Sequence, residues 1–167
     1  MMLSQIAREI IDFSQGNLHD IDHLLKVHAY ARIIGQSEGL DPERQFALEA
    51  AALIHDIACP LCREKYGNTN GKAQEREGEP LARDFLRRFD LPPELSERIV
   101  YLVAHHHSWG CADGPDYQIL LEADYLVNAG ESGYTAVNLQ NALTRLFRTE
   151  TGKALLRSVY RERLEAL

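Results

Sequence analysis

Positive charge is scarce in this chain: 18 Lys and Arg stand against 25 Asp and Glu, for a formal charge of −7. That balance excludes a protein that grips nucleic acid through bulk positive charge. No uninterrupted apolar run reaches the roughly 18 residues a helix needs to cross a bilayer, so no membrane span is expected. The opening stretch MMLSQIAREIIDFSQG mixes both charge signs and lacks the separate basic and apolar blocks of a secretory signal. Three cysteines in 167 residues are too few, and odd in number, for a disulfide scaffold. These absences together point to a cytoplasmic protein. Histidine is distributed unevenly: all seven lie between His19 and His107, and none follows.

Strand-like alternation is missing too, and an apolar period near 3.6 dominates. The spacing predicts helices over 3–15, 20–38, 42–57, 79–89, 93–107, 116–129, 135–148 and 151–164. Gly16 and Gly39 end the first two, and Asp41-Pro42 caps and opens the third. Residues 58–72 read as a loop, because Pro60, Gly67, Asn68, Asn70 and Gly71 interrupt any period. SWGCADGP reads as a second loop. The expectation is a single all-α domain over 1–167, a bundle of about seven or eight helices with no sheet. Its core spans about 18–130, and the helices of 131–167 serve as a cover or a homodimer face.

Polar residues interrupt four apolar segments. His55-Asp56 closes the run Ala50–Ile54, which is apolar on every side and therefore suited to burial. Asp124 lies within Ile119–Val127, His28 among Leu24, Leu25, Val27, Ala29 and Ala31, and His105-His106-His107 follows Ile99–Ala104. An isolated carboxylate in such surroundings is disfavoured by several kcal/mol unless paired or bound to metal. Neither aspartate has a Lys or Arg beside it in sequence. Convergence on one divalent cation would neutralise both carboxylates and occupy the imidazoles at once.

The order His28, His55-Asp56, Asp124, carried by IDHLLKVHAYARIIG, AALIHDIA, LVAHHHSWG and ILLEADYLVN, resembles the HD superfamily of metal-dependent phosphohydrolases. The resemblance covers nearly the whole chain. It implies a helical HD bundle and makes His28, His55, Asp56 and Asp124 the metal ligands, with His106 and His107 as further candidates. The implied chemistry is hydrolysis of a small phosphorylated compound, such as a nucleotide, by a metal-activated water that Asp56 would orient. The nitrogen and oxygen donors suit Mn, Fe, Co, Ni, Zn or Mg. In family members with two metals a further histidine stands four residues before a glycine. Here that position is Gln74, ahead of Gly78, so one ion per chain is expected.

Other features carry less. Arg63, Lys65, Lys72 and Arg76 follow the His-Asp pair, and Lys65 and Lys72 are the expected phosphate contacts, with His106 as a further catalytic group. Cys59-Pro60-Leu61-Cys62 is a lone C-x-x-C without the strand-helix pattern of a redox domain. His19 and His23 read as surface or helix-start residues, and Trp109 as loop packing. Asn128, one turn after Asp124, shares its face, whereas Glu122 should point elsewhere. Two other readings remain open from sequence: a di-iron oxygenase on a similar scaffold, and a metal- or nucleotide-binding module without turnover.

Overall fold

A computed structural model describes residues 2–166, and ten α-helices are found among them with no strand. They are α1 (Met2–Phe13), α2 (Leu18–Ser37), α3 (Pro42–Ile54), α4 (Cys59–Tyr66), α5 (Gly71–Leu86), α6 (Pro93–His105), α7 (Pro115–Glu131), α8 (Ala136–Arg145), α9 (Glu150–Val159) and α10 (Arg161–Glu165). Local chemistry sets the starts. Asn17, Asp41, Asn70, Thr135 and Thr149 each accept a backbone N–H of the first turn that follows.

Helix α3 is the central element. It packs on α1, α2, α6 and α7, and Ala47–Ile54 are all buried. The stretch 42–66 is long and apolar enough to cross a membrane by length and composition, but it is interrupted after Ile54 and mostly buried by neighbouring helices. Helices α2 and α7 pack on each other and on α3, and α6, which also packs on α3, pairs with α5. Gly78 of α5 faces Val103 of α6, and a Cβ there would meet it at 3.4 Å, an ordinary packing distance.

Three expectations about elements need correction. Residues 58–72 are not one loop: Cys59–Tyr66 form a helix. Pro60 sits in its first turn, where the missing N–H is harmless, and Cys59 and Cys62 turn one face inward. The break itself is confined to 67–70, where Gly67 ends α4 at φ 68° and Asn70 caps α5. Helix α5 then begins eight residues before the expected start and carries Pro80 within it. The last helix breaks at Tyr160, whose hydroxyl donates to Leu126 O on α7.

The C-terminal helices cover the end of the bundle, contributing Leu139, Ala142, Phe147 and Leu156 to the buried cluster. Glu122 of α7 holds this cover down. Its fully buried carboxylate accepts from Gln118 Nε2 at 2.7 Å, Arg148 N at 2.6 Å, Thr149 N at 3.1 Å and the Thr149 hydroxyl. A Cβ at residue 152 would run into Glu122 Oε2 and lie 2.6 Å from Thr149 Oγ1. With Glu122 bound on every side, neither neighbour can yield. Gly152→Ala should therefore lower the free energy of unfolding by about 1–3 kcal/mol, read from urea melts. An unchanged midpoint would refute this view of the Glu122 clasp.

Candidate metal centre

Two helix ends meet inside the bundle. His55 occupies the C-cap of α3 and His106 that of α6. The last carbonyls of a helix lack amide partners within it. Here imidazoles supply them: His55 Nδ1–H donates to Ala52 O at 2.9 Å, and His106 Nδ1–H to Val103 O at 2.7 Å. With Nδ1 engaged, each buried ring turns Nε2 inward. His23 of α2 repeats the device, donating from Nδ1 to Glu131 Oε2 at 2.8 Å on the last turn of α7. Three imidazoles are thus fixed from behind, the arrangement that orients metal-binding histidines.

Two carboxylates face them. His23 Nε2 lies 3.2 Å from His55 Nε2, 3.1 Å from Asp124 Oδ1 and 3.6 Å from Asp56 Oδ2. His55 Nε2 is 3.5 Å from Asp124 Oδ1 and 3.7 Å from Asp56 Oδ1. His106 Nε2 is buried without a hydrogen-bond partner, 3.2 Å from Asp56 Oδ1. Asn128 Nδ2 steadies the group by donating to Asp124 Oδ1 at 2.8 Å. Donor atoms bound about 2.1 Å from a shared ion lie roughly 3.0–3.4 Å apart, close to these separations. The donor set fits a divalent cation, and His23, His55 and Asp56 could hold one.

Charge explains the ionisation of the group. Burial disfavours a protonated His23, but the hydrogen bond to Asp124 and the charges of Asp56 and Asp124 outweigh it and push its pKa up to about 9. Burial likewise resists ionisation of Asp56 and Asp124; the charge of His55 on the first, and the hydrogen bond of His23 to the second, hold both well below the usual carboxylate range. His107 moves oppositely: burial and the neighbouring His106 lower it to about 4.

The structure brings some of the residues singled out in the sequence together and leaves others apart. His55, Asp56, Asp124 and His106 come together, with His107 at the edge. His28 does not join them. It lies five residues beyond His23, about 140° around the helix, and its Nε2 meets Glu49 Oε2 at 3.0 Å on the outer side of α3. Leu25 and Ala29, whose apolar character made His28 look buried, face solvent. The inward face carries His23, Leu24, Val27 and Ala31. That spacing, read from Val27 and Ala31 backwards, was the available signal for His23.

Lys65 and Lys72 also lie elsewhere. A cavity of about 400 Å³ opens over Asp56 and Asp124, and Arg63 lines it while neither lysine does. Lys65 Nζ pairs with Glu77 at 3.0 Å, and Lys72 is exposed in the first turn of α5. Gln74 reaches the cavity wall, accepting from His107 Nε2 at 3.2 Å and donating to Thr69 O at 2.7 Å. His107 fits there because residue 71 is glycine; a Cβ would stand 2.9 Å from its ring. Cys59 and Cys62 are buried free thiols. Burial, and then the charge of Asp56, raises the Cys59 pKa, which leaves it an unreactive thiol. Trp109 packs near Phe147 and Tyr125, away from the cavity.

Comparison with known proteins settles the family. Residues 20–129 match the HD domain. The chain belongs to the HD domain family. That span includes every residue of the centre except Glu131, the partner of His23. No curated protein matches it. Among solved structures, it is similar to an HD-superfamily hydrolase of Bacillus thuringiensis, at 18% identity over 99% of this chain and 92% of that one, with a TM-score of 0.62. A protein of Listeria innocua is similar at 20% identity, 99% and 91% coverage, and a TM-score of 0.61. At such identities these likenesses establish the HD fold.

In the metal-free HD domain, nitrogen-detected NMR should find His23 titrating near pH 9 and His107 near pH 4, on either side of the ordinary imidazole value of about 6.5. The raised His23 value contributes stability that is complete below about pH 6.5 and is lost as pH rises through about 9. The depressed His107 value works the other way, so its contribution is present above about 6.5 and is lost as pH falls through about 4. His23→Ala should abolish the alkaline loss. Ordinary titration of both rings near 6.5 would contradict the packing described for the centre.

Proposed function

We propose that this HD protein is a metal-dependent hydrolase of phosphate esters that acts on a small phosphorylated compound such as a nucleotide. One observation carries the reading: the Nε2 atoms of His23, His55 and His106, each ring anchored through Nδ1, face two ionised carboxylates, and His23, Asp56 and Asp124 line an open cavity. His23, His55, Asp56 and Asp124 would hold the ion, and His106 stands beside Asp56 as a further ligand. A divalent ion bound there lowers the pKa of a coordinated water and polarises a phosphoryl oxygen. Asp56, kept ionised and open to the cavity, accepts a hydrogen bond from the attacking water and orients it. Asn128 keeps Asp124 in place, and Glu131 keeps the His23 ring aligned. The free thiols fit a reducing, cytoplasmic setting.

A second reading, in which a second ion would be held by Asp56, His106 and His107, draws on the closeness of those ligand atoms. Against it, His107 Nε2 is engaged by Gln74. Metal analysis after reconstitution with Mn should give one equivalent per chain; two would select the second reading. His23→Ala should lose the ion and at least a hundredfold in phosphatase activity against a panel of phosphorylated compounds. His28→Ala should retain both. Metal retained in the His23 variant, or lost only with His28, would overturn the ligand assignment, and oxygen consumption without phosphate release would replace hydrolysis with oxygenase chemistry.

A further inference from the structure

The cavity over the centre is poor in positive charge. Among the described residues lining it, Asp20, Asp56, Asp124 and Glu131 are carboxylates, while Arg63 is the one Lys or Arg. Even a bound divalent ion leaves that lining one negative charge in excess. Arg63 projects from α4 and spans to α2, where Nη1 donates to Asp20 Oδ1 at 3.3 Å and Nη2 donates to Asp20 Oδ2. Asp20 is itself largely buried, with 12% of its side chain exposed, so it is a firm anchor. Two of the five guanidinium N–H donors are used in this pair, and three remain for a ligand.

From this charge count we infer that Arg63 is the phosphate-recognising residue of the cavity and that the site selects singly phosphorylated compounds over those carrying a pyrophosphate or triphosphate chain. The inference rests on the hydrolase reading above and names its substrate class. A planar guanidinium fixed at one edge by Asp20 offers its free edge to two oxygens of one phosphoryl group. A second phosphoryl group would extend toward Asp20 and Glu131 with no further Lys or Arg on the lining. The neutral donors there, Asn128 and Ser132 among them, can hydrogen-bond a sugar or alcohol portion but cannot offset added charge. Asp20 is a positioning residue that acts through Arg63.

The test is equilibrium binding of inorganic phosphate and of pyrophosphate to the Mn-loaded protein, with free Mn held constant by a metal buffer. Phosphate should bind at least tenfold more tightly than pyrophosphate. Arg63→Ala should weaken phosphate binding tenfold or more at unchanged Mn content, Arg63→Lys should recover part of the loss, and the Lys65→Ala, Lys72→Ala double variant should bind as the parent does. Asp20→Asn should weaken phosphate binding less than Arg63→Ala, because the guanidinium remains but is no longer aligned. Pyrophosphate binding as tightly as phosphate, or phosphate binding unaffected by Arg63→Ala, would overturn the inference. Because the measurement needs no turnover, Arg63-dependent phosphate binding in a protein that hydrolyses no ester would refute the hydrolase reading and leave this one standing.

Discussion

Enclosing two carboxylates and three imidazoles within one small volume is the constraint on which the rest of this structure depends. Asp56 and Asp124 remain ionised although burial opposes it, because imidazoles surround them. Removing the partner from a buried charge is destabilising by about 3–5 kcal/mol, so the group needs positive charge at its centre at all times. A proton shared between His23 and Asp124 serves in the empty protein, and a divalent cation would take its place by displacing that proton. The folding requirement and the proposed chemistry are therefore met by the same arrangement.

The fold supplies that arrangement with ordinary parts. Two helices end where their C-terminal carbonyls need donors, and His55 and His106 satisfy them while turning Nε2 toward the aspartates. Helix C-termini favour nearby positive charge, which suits a group of side chains that could hold a cation. Behind His106, Tyr117 donates to both His105 O and Ser108 O, and Glu75 accepts from His107 N and the Ser108 hydroxyl. The turn carrying the histidines is thereby tied to α5 and α7. On the far side, α7 runs two residues past Ala129, and that final turn places Glu131 against His23.

Much of this could be read before the structure. The apolar run around His55-Asp56 and the burial of Asp124 were legible because α3 and α7 are apolar on nearly every side, so a polar residue there has no solvent to face. Helix α2 was harder. Its apolar residues are spread around it, with Leu18, Leu25 and Ile33 exposed, so apolar neighbours in sequence were a poor guide to which side of it is buried. His28 and His23 differ by five residues, and only the tertiary partners decide between them. The loop assigned to 58–72 failed for a related reason: Pro60 is compatible with a first helical turn, and the inward Cys59–Cys62 face was too short a pattern to outweigh the glycines and asparagines that follow. Arg63 stood among the cationic candidates, but Lys65 and Lys72 could not be set behind it from sequence, because its direction depends on that unforeseen helix and on a carboxylate 43 residues away.

Anomalous diffraction from crystals equilibrated with Mn tests the central claim most directly. The account predicts a peak between the Nε2 atoms of His23 and His55 and the carboxylates of Asp56 and Asp124, with none beside His28 and Glu49. A peak at His28, or an empty centre in a crystal saturated with the metal, would contradict it.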